Sequence, residues 1–107
     1  MDLLKVDGGE WSFVNLRNAT LSSAVLKDAR MREADLGGLR AANGTLTGLD
    51  LSGATWDKAD LTGCDLRGTD LSSLDPGAVS LRGAKITYEQ AVTLALAQGL
   101  DVLPSLA

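Results

Sequence analysis

The groups in this chain that could do chemistry are carboxylates and one thiol. Its 107 residues contain no histidine, which removes the commonest general base and the commonest metal ligand together. No Ser-His-Asp or Cys-His arrangement can therefore be assembled. Cys64 stands alone, so no intrachain disulfide can form. Fourteen Asp and Glu residues remain, but no carboxylate pair stands apart from the rest. The expectation is a protein that is not an enzyme and that holds no cofactor or metal. Five acids do make a pattern: Asp50, Asp60, Asp65, Asp70 and Asp75 fall at multiples of five, each directly before a residue of an apolar series. Turned toward water, they form a candidate acidic outer face, whose chemistry would be electrostatic attraction of a partner.

The apolar series is what must position them. From Trp11 to Ile86 every fifth residue belongs to it, and ten of its sixteen members are Leu. Two residues ahead of each lies a second, mostly small series, among it Ala19, Ala24, Ala29, Ala34, Ala54, Ala59, Cys64 and Ala84. A period of five fits neither a helix nor a flat strand. A chain that turns a corner every five residues would bring both series onto one inner surface. Cys64 then reads as a small buried group.

Composition agrees with a narrow core. Aromatics are 4% of the chain although the apolar fraction is 45%, and there are 12 glycines. No apolar run reaches the length of a membrane span, and the first residues are too short and acidic for a signal peptide, so a cytoplasmic location is expected. The net charge is −4. Residues 1–44 hold six acids and six bases, whereas residues 45–107 hold eight acids and four bases. Direct binding of DNA or RNA normally needs a basic face, so it is not expected.

Ala34-Asp35-Leu36-Gly37-Gly38, Ala59-Asp60-Leu61-Thr62-Gly63 and Cys64-Asp65-Leu66-Arg67-Gly68 resemble the A(D/N)LXX unit of pentapeptide-repeat proteins. The resemblance implies an all-β solenoid, a right-handed quadrilateral β-helix in which each pentapeptide forms one side of a square coil. Sixteen units in frame cover residues 9–88, about four coils, and at ~4.8 Å per coil these make a rod of roughly 19 Å. Gly38, Gly48, Gly53, Gly63, Gly68, Gly83, Asn18 and Asn43 supply residues that tolerate positive φ at the corners. Residues twenty apart stack, so Asp50 lies over Asp70, Asp65 over Thr45 and Asp60 beside Arg40. The large Leu39, Leu49 and Leu74 in the small series, beside Ala41, Trp56 and Pro76, predict local widening or changed turns. Pro76 cannot donate a ladder hydrogen bond, which predicts an irregular last coil at Asp75-Pro76-Gly77.

Thr87-Tyr88-Glu89-Gln90 fits a capping box, and residues 88–98 read as a helix stopped by Gly99. The domain reading is a β-helix over 1–88 followed by a capping helix and tail over 89–107. The helix should lid the last coil, with Tyr88, Val92, Leu96 and Leu100 as candidate cap or dimer residues. Leu4 and Val6 are already in phase with the inward series, so the front of the solenoid lacks a matching cap. That end could be a fragment boundary, pair end-on, pack on a partner, or be plugged by residues 1–8.

Residues from Asp70 to Leu103 are similar to the C-terminal end of the gyrase-protecting, quinolone-resistance branch of the family. There the resemblance implies a dimer joined through C-terminal helices and an acidic rod that mimics DNA in a type II topoisomerase. Arg30, Arg32, Arg40, Arg67 and Arg82 interrupt any acidic track, and four coils are short against a ~34 Å DNA turn. The broader expectation is a non-enzymatic interaction or scaffold module that self-associates, as a homodimer through the C-terminal helix or a coil end. The alternative is a DNA-mimicking binder of DNA gyrase.

Overall fold

The computed structural model describes residues 4–106. Three short strands, β1 (Lys5–Asp7), β2 (Val25–Lys27) and β3 (Thr45–Thr47), form a parallel sheet in the order β1-β2-β3. The register is twenty residues throughout: Val6 faces Leu26, and Leu26 faces Leu46. The same step links Glu10 to Arg30 and Asp50, Asn15 to Asp35 and Thr55, and Thr20 to Arg40, Asp60 and Ser80. The strand row continues from Thr45 to Asp65 and Lys85. Four rows twenty residues apart are the four sides of a coil.

Each side is closed by a tight turn. The Val14 amide donates to the Trp11 carbonyl at 3.1 Å, and the Cys64 amide to the Leu61 carbonyl at 3.0 Å. The residue two after the apolar centre takes positive φ, 68° at Gly63 and 60° at Asn43, as the second central position of a type II turn requires. All eight residues expected at corners adopt it. Phe13, Ser23, Asp28, Glu33 and Lys58 do so as well, which their types did not suggest. The repeated frame imposes the conformation on whatever residue falls there. At Phe13 the cost is greatest, because a bulky side chain is a genuine outlier in that region.

Between the corners, amides alternate in direction. Arg40 donates backward to the Ala19 carbonyl, and Ala41 donates forward to the Asp60 carbonyl, both at 2.9 Å. This parallel ladder directs both apolar series into the lumen. From Ala24 to Leu74 every residue of the two series is buried. Leu39, Leu49 and Trp56 fit among them; the Trp56 indole N–H donates to the Ser73 hydroxyl at 3.1 Å. The ladder persists beside Leu39, where Arg40 still faces Asp60. Thr69, a hydroxyl in the small series, donates to the Leu46 carbonyl and accepts from the Leu49 amide. Cys64 is fully buried, and burial pushes its thiol pKa up to about 12, so the thiolate required for reactivity is absent at neutral pH.

The last turn of the solenoid departs from the frame where Pro76 predicts it. Pro76–Ala78 form a short 3-10 turn capped by Asp75, whose carboxylate accepts from the Gly77 amide at 3.0 Å. The Lys58 amide reaches the Ala78 carbonyl, one residue beyond the usual step. By Ser80, which bonds Ala59, the frame is restored. Helix α1 (Tyr88–Ala97) follows, and the overall extents are 52 × 25 × 21 Å.

Candidate interaction surfaces

Each of the five candidate acids serves its own turn first. The carboxylates of Asp50, Asp60, Asp65, Asp70 and Asp75 accept the backbone N–H two residues on, from Ser52, Thr62, Arg67, Ser72 and Gly77. The hydroxyls of Ser52 and Thr62 donate to the same oxygens. These hydroxyl bonds, and then the turn amides, hold Asp50 and Asp60 below the usual carboxylate pKa. At Asp65 the leading cause is the Arg67 guanidinium, which donates through Nε and Nη2.

The ladder distributes these acids around the rod. Asp50 shares a row with Glu10 and Arg30, Asp60 with Arg40 and Ser80, and Asp65 with Thr45 and Lys85. The Asp70 amide donates to the Leu49 carbonyl, which places Asp70 over Asp50. Asp75, twenty residues beyond Thr55, falls at the 3-10 turn of Pro76–Ala78, which it caps. Only Asp50 and Asp70 therefore share a side. Cations cross the intervals: Arg17 lies 3.2 Å from Asp35 and 3.3 Å from Asp57, and Arg67 2.7 Å from Asp65. The physical reason is the corner at every fifth residue, which turns the next acid onto a different wall. At the surface a groove of about 620 Å³ runs along Asp50, Thr69, Asp70, Ser72, Glu89 and Gln90. Among the described residues no cluster is suited to a metal ion.

Helix α1 has two unlike sides. Thr87 is its N-cap, and the capping box is complete: the Thr87 hydroxyl accepts from the Gln90 amide while the Gln90 side chain accepts from the Thr87 amide. Gly99, at φ 80°, ends it, with Gly99 and Leu100 amides returning to the Leu96 and Ala95 carbonyls, the bonding pattern of a Schellman stop. On the inner side, Gln90 is 7% exposed and Leu94 packs against the core. The Gln90 side-chain amide donates to the Leu66 carbonyl at 2.6 Å and the Thr69 carbonyl at 2.9 Å. It thus satisfies backbone oxygens where the chain leaves the ladder. Sequence reasoning reads Gln90 as a local cap only; the signal for the wider role is Gln rather than Glu, since a carboxylate cannot donate.

Tyr88, Val92 and Leu96 recur every fourth residue on the opposite side of α1, and Leu100 follows beyond the Gly99 stop; all four are exposed, Tyr88 at 93% and Leu96 at 57%. They do not make the lid. Val102, Leu103 and Leu106 continue the exposed apolar run into the tail. No helix among the described residues is long and apolar enough to cross a membrane.

A parallel ladder at a twenty-residue step, four walls and a lumen of single side chains define a class of β-solenoid built from five-residue units. The family model for pentapeptide repeats matches residues 10–43 and 45–75 in eight copies, and the chain belongs to that family. Pentapeptide-repeat proteins fold as right-handed quadrilateral β-helices and are generally structural or interaction modules. A search of curated protein sequences finds no match. Among solved structures, full-length QnrB1, a plasmid-mediated fluoroquinolone resistance protein, is 18% identical with a TM-score of 0.58, over 85% of this chain and 66% of its own. A trypsin-treated QnrB1 variant is 29% identical with a TM-score of 0.49, over 88% and 44%. A pentapeptide repeat protein from the Arabidopsis thaliana thylakoid lumen is 18% identical with a TM-score of 0.49, over 83% and 76%. The chain thus spans less than two thirds of the length of either QnrB1 structure.

Proposed function

We propose that this chain is a non-enzymatic interaction module that self-associates through α1. The observation that carries the reading is the apolar stripe Tyr88, Val92, Leu96 and Leu100, which faces water while Gln90 and Leu94 do the capping. An end cap alone needs no such stripe on its outer side, and contiguous exposed apolar surface marks an interface. A twofold pairing sets the same stripe against itself, the simplest closed arrangement for one patch. The walls carry mixed charge with local ion pairs, which suits a scaffold that presents different surfaces on different sides.

The DNA-mimic reading draws on the acidic excess of residues 45–107 and requires one negative stripe running along the rod. The distribution of Asp50, Asp60, Asp65 and Asp75 over separate walls supports the scaffold reading over it. Sedimentation of wild type against Leu96→Asp tests the helix contact. The variant is expected to lose the α1-mediated association while keeping its circular dichroism; equal masses would sink that contact. Gyrase supercoiling assayed with micromolar protein tests the alternative, and inhibition or protection from a quinolone would favour it.

A further inference from the structure

The corner at Asn43 holds a reactive pair that neither the lumen nor the charged walls use. Asparagine is a chemically labile side chain. The sequence has three, Asn15, Asn18 and Asn43, and Asn43 alone precedes a glycine. In an Asn-Gly pair the glycine nitrogen can attack the asparagine side-chain carbonyl carbon, and glycine has no Cβ to hinder the approach. Asn43 is exposed at φ 60°, whereas Gly44 is buried. The Gly44 residue is pinned at both of its backbone groups. Its N–H donates to the Ala41 carbonyl and its carbonyl accepts from the Asp65 amide, both at 2.9 Å. On either side, the Asn43 amide donates to the Thr62 carbonyl and the Thr45 amide to the Ala24 carbonyl, both at 2.8 Å. The carbon to be attacked therefore lies in water, while the attacking nitrogen is held inside the solenoid.

We infer that Asn43-Gly44 is a modification site gated by the opening of its coil, and that one product keeps the coil from closing again. Once the turn opens, hydroxide takes the Gly44 N–H proton and the nitrogen attacks Asn43 Cγ. The Cγ–Nδ2 bond breaks, ammonia leaves with a proton, and a five-membered succinimide remains. Water then opens the ring at Cγ to give aspartate, or at the main-chain carbonyl to give isoaspartate. In sum, the amide and one water become a carboxylate and ammonium. The fold treats the two products differently. Aspartate fits such a corner: Asp28 takes φ 54°, and its Oδ1 lies against Gly48 as the Asn43 Oδ1 lies against Gly63. Isoaspartate routes the main chain through the side chain and lengthens it by one carbon, about 1.5 Å. This side has no slack for that. Even a methyl group at Gly44 would lie 3.0 Å from the Ala41 carbonyl oxygen and 3.2 Å from that of Ala24. The rungs before and after it, Arg40 to Asp60 and Thr45 to Asp65, fix the twenty-residue register.

The gate is tested by incubating the full chain at mildly alkaline pH, folded and in urea above its unfolding midpoint. Peptide mapping that resolves aspartate from isoaspartate then reads residue 43. The folded protein should convert at least about tenfold more slowly, in step with hydrogen exchange at the Gly44 amide, because both reactions need the same N–H released. Leu46→Ala empties a buried site on the next side and should speed the folded reaction about tenfold or more. If that variant does not fold, wild type in urea below its midpoint supplies the same loosening. Equal rates in folded and unfolded protein overturn the gate, and unfolded chains that form neither product overturn the site. Thermal melts test the block. Asn43→Asp should keep the wild-type midpoint, whereas chains purified with isoaspartate at 43 should melt lower by more than about 5 °C. Isoaspartate chains that melt with Asn43→Asp overturn it.

Discussion

Replacing Gln90 with glutamate changes one nitrogen to oxygen and should disproportionately weaken the C-terminal end. The side-chain nitrogen stands 2.6 Å from the Leu66 carbonyl and 2.9 Å from the Thr69 carbonyl, while its oxygen holds the Thr87 amide at 2.8 Å. Glutamate keeps the last of these and the shape. It turns the first two into contacts between a carboxylate oxygen and carbonyl oxygens in a site where the residue is 7% exposed. Losing two buried bonds and leaving the Thr69 carbonyl unsatisfied, while the Leu66 carbonyl keeps the Thr69 amide at 3.1 Å, costs about 2–4 kcal/mol. For a domain of this size that is a fall in midpoint of roughly 10–20 °C if unfolding is cooperative. In a solenoid the damage can stay local, with α1 fraying before the coils. Helical ellipticity and the main transition should therefore be followed separately.

The pH dependence makes this prediction sharper. Once protonated, the introduced carboxyl group regains one donor, so its folded pKa is raised above the unfolded value of about 4.3. The folded state then binds more protons than the unfolded one in that window, and the deficit relative to wild type shrinks as pH falls toward 4. Gln90→Met, which removes the donors without adding charge, should show a smaller deficit that does not narrow in acid. Thermal melts of the three proteins at pH 7 and 4 decide the matter. A Gln90→Glu protein that melts and frays like wild type at pH 7 would refute the assigned role of the amide.

Two further outcomes follow from the walls. Gly63→Ala and Gly83→Ala place a methyl group at φ 68° and 72°, but a methyl at 63 would lie 2.3 Å from Asn43 Oδ1, whereas at 83 the nearest atoms are 3.8 Å away. Gly83→Ala should cost about 1 kcal/mol from backbone alone and Gly63→Ala measurably more, read as denaturation midpoints; equal costs would show that Asn43 simply moves aside. Glu10, Asp50, Asp60 and Asp65 have depressed folded pKa values, so their stabilisation is present above the unfolded pKa of about 4 and is lost as pH falls through the folded values. Asp60→Asn keeps an acceptor for the Thr62 amide, and it should flatten that acid limb without a large loss at pH 7. An unchanged acid limb would remove Asp60 from this set.

The five-residue series makes the inner surface legible from residue types and spacing alone. Leu36, Leu51, Leu61 and Leu66 have one place to go, and Pro76 announces its own irregularity because it has no amide to give. The capping box and Gly99 mark both ends of α1 by local chemistry. What escapes a sequence reading is set by contacts distant along the chain. The role of Gln90 depends on two carbonyls, at Leu66 and Thr69, exposed only because the chain departs after Ile86. Positive φ at Phe13, Glu33 and Lys58 follows from neighbouring coils, against the preference of those residue types. The outward aspect of Tyr88, Val92 and Leu96 depends on which side of the helix meets the solenoid, and two opposed apolar sides leave that open.

The outer walls obey a different period from the lumen, and this changes how surface charge must be read. Inside, residues five apart converge on one axis whatever side they come from. Outside, the same five-residue step is a quarter turn, so Asp60, Asp65, Asp70 and Asp75 face four directions, and only a step of twenty returns to one wall. Grouped by twenty, the side bearing Asp50 and Asp70 also bears Glu10, Arg30, Arg32 and Glu33, with the Arg32 guanidinium 4.0 Å from Asp50. A field strong enough to compete for a DNA-binding surface would require acids in place of Arg30 and Arg32 as well. Their positive charges cut that wall into short segments of alternating sign, with no continuous negative stripe along it.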